Sequence, residues 1–282
     1  MALDFTNKLT LPKELDFNVS FQPTLFNGKK YVIDASTGDY IGIVGDGFTC
    51  ASHGEFYHRV WSTIEDQLGV DNVADATMTW RTGRKQAFAM LDIQFPSTKT
   101  TIENDMFSTT VAQRVIALHG VDGLCSNQVF FGAIDFFCLN GMVTGDHDKI
   151  RRKNTSNFDI NIFIKELSNS TNDFYIQMNR VQRWATTSIK HMDIKTILDS
   201  LMKSKRKSEK MYSLYRQEVS KRGENLFALH SAFTNYASYA DERNGFSLRN
   251  TGNDTSSVSM WLREQEVSKW VSSPEFRRLE VA

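Results

Sequence analysis

Residues 128–137 are apolar on both faces of a period-two pattern. Val129, Phe131 and Ala133 line one side, and Phe130, Ile134 and Phe136 line the other. A strand with two apolar faces is stable only within a sheet that is covered on both sides. This run is therefore expected to be a central strand, with other strands and at least one helix layer around it.

The preceding sequence supplies those neighbours. Lys30 to Asp34 and Tyr40 to Gly45 are short β-rich runs about Ser36-Thr37-Gly38-Asp39, a hairpin signal with glycine in the turn. Ser52-His53-Gly54-Glu55 fits a capping box. Phe56, Tyr57, Val60, Trp61, Ile64 and Leu68 follow at helical spacing, which predicts an amphipathic helix over 54–68 that ends at Gly69. Ala76 to Trp80 leads into a polar turn, Arg81-Thr82-Gly83-Arg84-Lys85. The return strand places Ala87, Ala89, Leu91, Ile93 and Phe95 on one face and is expected to stop at Pro96. Arg114 to Leu118 reads as a further strand.

From about residue 158 the period becomes helical. Met178, Val181, Trp184 and Ala185 share a face. Asp193 is placed to cap a helix with Ile194, Ile197, Leu198 and Leu201 as its stripe. Met211, Leu214, Tyr215 and Val219 continue towards Gly223, and Leu226 to Ala237 forms another helix. Residues 244–257 read as a loop, and Trp261, Leu262, Trp270 and Val271 as a last short helix. The fold class is α+β. An antiparallel or mixed sheet with a packed helix spans 1–157, and a mainly helical region spans 158–282. The two either pack as one domain or stand apart.

Composition sets limits on function. The 282 residues carry 33 basic and 33 acidic side chains, with 40 % hydrophobic residues, as in ordinary globular proteins. Neither a membrane span nor a signal peptide is apparent, so a cytoplasmic protein of a bacterial host cell is expected. Cys50, Cys125 and Cys138 are odd in number and widely spaced. This is no disulfide framework or zinc motif, and free thiols are expected. The neutral total hides an asymmetry: residues 146–222 hold 17 basic against 9 acidic side chains, while residues 1–145 hold 10 against 16.

Familiar chemistries find little support. Gly42-Ile43-Val44-Gly45-Asp46-Gly47 lacks the Lys-Ser/Thr of a phosphate loop. No GxSxG elbow occurs. Six histidines are scattered; His53 and His58 flank the first helix, and His147-Asp148 has no matching partners for a metal site. No cofactor and no metal are called for. Basic clusters are more informative. Arg81, Arg84 and Lys85 sit at a hairpin tip, and Arg151, Arg152 and Lys153 follow the long apolar strand. Lys203, Lys205, Arg206 and Lys207 lie on a predicted helix beside Tyr212 and Tyr215. Lysine and arginine neutralise phosphates and release counterions, and exposed aromatics stack on unpaired bases.

One stretch carries a family resemblance. Ile116-Ala117-Leu118-His119-Gly120-Val121-Asp122-Gly123, followed by Phe136-Phe137-Cys138-Leu139-Asn140-Gly141, resembles the core of the phage/plasmid-like protein family (domain of unknown function 932). That family pairs an Asn-Ser-His-Asp-Gly segment with a later Cys-x-Asn-Gly. Here the first segment has an inserted residue and lacks the Asn-Ser, whereas Cys138-x-Asn140-Gly141 matches. Residues 41–48 and the aromatic run 225–234 resemble flanking family segments. The resemblance implies a mobile-element origin and no particular reaction. Physically, Asn140-Gly141 reads as a turn. The expectation is a non-enzymatic nucleic-acid-binding protein of a phage or plasmid, acting on single-stranded DNA in annealing or recombination, with oligomerisation left open. The alternatives are a metal-dependent enzyme of nucleic-acid metabolism using Asp46, Asp122, Asp146 and Asp148, or a structural or host-interaction protein.

Overall fold

The computed structural model describes residues 9–135, 140–142, 149–154, 159, 161–162, 165, 174–239 and 255–280. The chain divides into two compact units, each discontinuous in sequence. One holds Met1–Ile93, Val115–Phe130 and Lys149–Asn172; the other holds Gln94–Arg114, Phe131–Asp148 and Asp173–Ala282.

In the first unit, β1 (Val19–Pro23), β2 (Lys29–Asp34) and β3 (Tyr40–Gly45) form an antiparallel three-stranded sheet. The β2–β3 turn forms where expected. Asp34 Oδ1 accepts bonds from the Ser36 amide (2.7 Å) and hydroxyl (2.6 Å), an Asx-type closure. Helix α1 (His53–Leu68) begins at Ser52, whose hydroxyl accepts from the Glu55 amide, and ends at Gly69. Its buried face is Phe56, Tyr57, Val60, Trp61 and Ile64, the stripe read from the sequence. Tyr57 anchors the helix to the sheet by donating to the Ala89 carbonyl (2.6 Å) and setting its ring against Trp80. A one-turn helix, α2 (Val70–Val73), follows.

A second antiparallel sheet runs in the order β4 (Thr77–Gly83), β5 (Phe88–Asn104), β6 (Phe107–Gly120), β7 (Asn127–Asp135), β8 (Asn140–Met142). Strand β9 (Lys149–Arg152) also pairs with β7, with Asn127 opposite Arg152 and Gln128 opposite Arg151. Strand β7 thus has neighbours on both edges, and every residue of it except Gly132 is buried. Strands β5, β6 and β7 each contribute residues to both units.

Three local expectations need correction. The β4–β5 turn falls at Arg84–Ala87, and Gly83 is the last residue of the strand. Its left-handed positions are Arg84 (φ 50°), Lys85 (φ 52°) and Gln86 (φ 64°), none of them glycine. Strand β5 continues through Pro96 to Asn104, well past the length of seven-residue β4. Strand β5 is also buried on both faces over residues 88–93, so its period-two pattern does not mark a solvent side.

In the second unit, α3 (Phe174–Thr186), α4 (His191–Met202), α5 (Lys205–Arg222), α6 (Leu226–Tyr239), α7 (Thr255–Val271) and α8 (Pro274–Leu279) surround a core that includes Ile102, Val111, Ala133 and Met142. Helix α6 is buried nearly all round because it lies against α3, α5, α7 and β8. Helix α4 begins two residues before Asp193, which sits in its first turn and does not cap it. Of the expected 244–257 loop, residues 244–254 lie outside the described residues, and α7 begins at Thr255. The expected last short helix is instead the seventeen-residue α7 followed by α8. Among the described residues, no helix is long and apolar enough to cross a membrane.

Candidate functional site

The basic side chains singled out from the sequence have different environments. In the first unit, Arg84 forms an ion pair with Asp122 (Nε to Oδ2 2.6 Å), donates to its Oδ1 from a second nitrogen (3.3 Å) and lies over the Phe88 ring. Arg81 stands 3.8 Å from Asp92. Lys85 is exposed. On edge strand β9, Arg151 and Arg152 are exposed, with Arg151 Nε bonded to Ser126 Oγ (3.0 Å), and Lys153 follows them into solvent.

In the second unit, Lys203, Lys205 and Arg206 are exposed and have no carboxylate partner among the described residues. Lys207 is different. Its ammonium lies 2.6 Å from Glu266 and over the rings of Tyr236 (4.6 Å) and Trp270 (4.8 Å), so it locks α5 to α6 and α7. Tyr215 is fully buried and unable to stack on a base; Tyr212 is half-buried. Cys138 lies outside the described residues. Asn140 and Gly141 pair with Asp135 and Ile134 as part of β8, so this segment of the family motif is strand.

A polar cluster of the first unit lies on the loop between β6 and β7. A Cβ on Gly120 would overlap Cys125 Sγ, so only glycine lets the loop fold back on itself there. Gly123 has φ 77° and packs against Val44 of the small sheet and Phe48 just beyond it. Between them, Asp122 receives Arg84 and the Leu124 amide (3.0 Å). These contacts explain the His119-Gly-Val-Asp-Gly sequence: two glycines for close approach and one carboxylate to hold the hairpin tip.

His119 itself points under α1, stacked on Phe56 with ring centres 4.6 Å apart. Its Nδ1 lies 2.8 Å from Nδ1 of His53, and His53 Nε2 lies 2.9 Å from the Gln86 carbonyl. A carbonyl only accepts, so His53 Nε2 carries the proton and its Nδ1 is bare. His119 Nδ1 must then donate to it, which leaves the buried His119 Nε2 as a lone pair without a donor among the described residues. Both rings are neutral. Burial lowers the His53 pKa to about 4 and drives that of His119 well below its ordinary value. Burial likewise pushes Cys50 up to about 12 and Cys125 up to about 11, so both are protonated free thiols and poor nucleophiles.

Of the two histidines on the first helix, His58 is exposed and His53 is buried, with His119 as its partner. A signal was present, since His53 falls on the apolar stripe with Phe56, Tyr57 and Val60. No group of three His, Cys, Asp or Glu side chains suited to a metal occurs among the described residues. Asp122 is occupied by Arg84, and Asp146 and Asp148 lie outside the described residues.

Fold and site together define an α+β protein built on a long-stranded antiparallel sheet, with its polar cluster on one strand-connecting loop. The chain belongs to the family described as Domain of unknown function (DUF932), whose model matches residues 40–275 and so takes in β3 of the small sheet, α1, the long-stranded sheet and the 119–125 loop. Comparison with the curated proteins and with the solved structures gives no match.

Proposed function

We propose that the protein is a non-enzymatic nucleic-acid-binding protein that holds the phosphates of a single strand. The observation that carries the reading is the start of α5. Lys205 and Arg206 occupy its first turn, with Lys203 just before it, and no acidic residue shares that turn. Cations at a helix N-terminus oppose the macrodipole and cost about 0.3–1 kcal/mol each. Here the described residues supply no carboxylate to offset them, and a phosphate chain would. Arg151, Arg152 and Lys153 supply a second exposed basic segment, on the first unit. Arg81, Arg84 and Lys207, by contrast, already serve carboxylates of the fold.

The finer assignment, to single-strand annealing or recombination of a phage or plasmid in a bacterial cytoplasm, rests on the resemblance of residues 116–143 to phage/plasmid-like proteins. Fluorescence anisotropy with single- and double-stranded DNA at two salt concentrations tests the reading. The expected result is tighter binding to the single strand, with a log–log salt slope of roughly −0.7 per phosphate contacted. Changing Lys203, Lys205 and Arg206 together to Glu should weaken binding about tenfold and leave the melting temperature nearly unchanged. Absence of wild-type binding at low salt, or binding insensitive to salt, refutes the proposal.

A further inference from the structure

A cavity of about 500 Å³ opens on the first unit beside the strained β4–β5 turn, lined by Glu14, Phe17, Asp34, Asp39, Tyr40, Ile41, Lys85 and Gln86. This size suits a small molecule. Three charged side chains on its wall, Glu14, Asp39 and Lys85, have no ion-pair or hydrogen-bond partner among the described residues, and they do not pair with one another. In the same unit, Arg59, Arg81 and Arg84 all have carboxylate partners. The cavity wall therefore carries exposed charges of both signs.

The wall is built to stay in place. Gln86 is fixed by its carbonyl on His53 and Arg84 by Asp122, so the stem of Lys85 between them is held in its left-handed conformation. Asp34 is kept anionic by its bonds from Ser36 and Thr37. The Phe17 ring rests edge-on against His53 (5.6 Å), and the Tyr40 ring against Tyr31 (5.8 Å), which gives the cavity two fixed aromatic walls.

We propose that this cavity binds a small zwitterion of the amino-acid class, its carboxylate on Lys85 and its ammonium on Glu14 and Asp39. Phe17, Tyr40 and Ile41 cover the ligand's carbon chain. With Asp34 the wall carries three negative charges against one positive, so a basic amino acid, with two cations and one anion, is the closest complement. This site goes beyond the nucleic-acid reading and does not depend on it.

Calorimetric titration of the whole protein with L-lysine, cadaverine and glutarate separates the contributions. L-lysine should bind, and cadaverine, which lacks the carboxylate, should bind about five- to tenfold more weakly. Glutarate should give no heat. Lys85→Gln should bring L-lysine down to the affinity of cadaverine, and Glu14→Gln with Asp39→Asn should abolish the binding of both. All three changed side chains are exposed, so the ligand-free melting temperature should not move. The Glu14→Gln, Asp39→Asn variant should leave DNA binding in place, which keeps this test apart from the previous one. No heat from L-lysine, equal affinity for L-lysine and cadaverine, or undiminished L-lysine binding by Lys85→Gln would each overturn the proposal.

Discussion

Trp61 and His119 show the two kinds of buried residue in the first unit. Trp61 is 3 % exposed on the inner face of α1, and its placement follows from helical spacing alone. Trp61→Ala should cost about 3–5 kcal/mol by urea denaturation, because the sheet beneath cannot collapse into so large a cavity. His119 depends on a partner 66 residues away, which no local pattern announces. The consequence is a pH dependence. Both histidines have folded pKa values below their ordinary 6.5, so below that pH the unfolded chain takes up protons that the folded one refuses. Stability should be full above about pH 6.5 and fall as the pH drops towards 4; for His53 the loss is on the order of 3 kcal/mol. Melting temperatures between about pH 7.5 and 5, above the range where carboxylates titrate, should show the decline. A flat profile there would contradict the assignment of two neutral, mutually bonded rings.

At the scale of elements, strain marks two junctions. The α4–α5 junction places Lys203 at φ 51°, and the β4–β5 turn holds three consecutive residues left-handed. An L-residue costs roughly 1–2 kcal/mol in that region, whereas glycine enters it freely. Lys203→Gly should therefore raise stability by about 1 kcal/mol in chemical denaturation while weakening DNA binding. A loss of stability would show that the Lys203 side chain is needed by the fold. The β4–β5 turn also shows why an element boundary was misplaced. Gly83 looks like the turn residue because glycine tolerates any φ. The actual turn lies later, because Arg84 is drawn to Asp122 and the Gln86 carbonyl to His53, contacts made by residues distant in sequence.

For the molecule as a whole, the charge asymmetry read from the sequence has two fates. Part of it is exposed, as at Lys203, Lys205 and Arg206. Part is consumed inside the second unit, where Arg222 is 1 % exposed between Phe107 and Phe227 and bonded to Asp135 (2.7 Å) and Glu218 (3.1 Å). Thr109 donates to Asp135, and Lys221 stands by Glu218, so the cluster is closed and neutral. Arg222→Met should cost about 3–5 kcal/mol, since it leaves two buried carboxylates facing each other. A thermal melt near that of the wild type would mean that water reaches the cluster.

Local pattern by itself determined the α+β class, the amphipathic face and both ends of α1, the β2–β3 hairpin, the central place of β7 and the inner face of α3. These depend on period, capping and turn chemistry, which act within a few residues along the chain. Tertiary structure alone decided which charges stay free. It set Lys207 among Glu266, Tyr236 and Trp270, buried Tyr215 and Arg222, paired His53 with His119, and put Lys85 on the same cavity wall as Glu14 and Asp39. The reason is physical: a charged or titratable side chain takes its role from the partners and the solvent around it. In a sheet of long strands, those partners come from segments far apart in the chain.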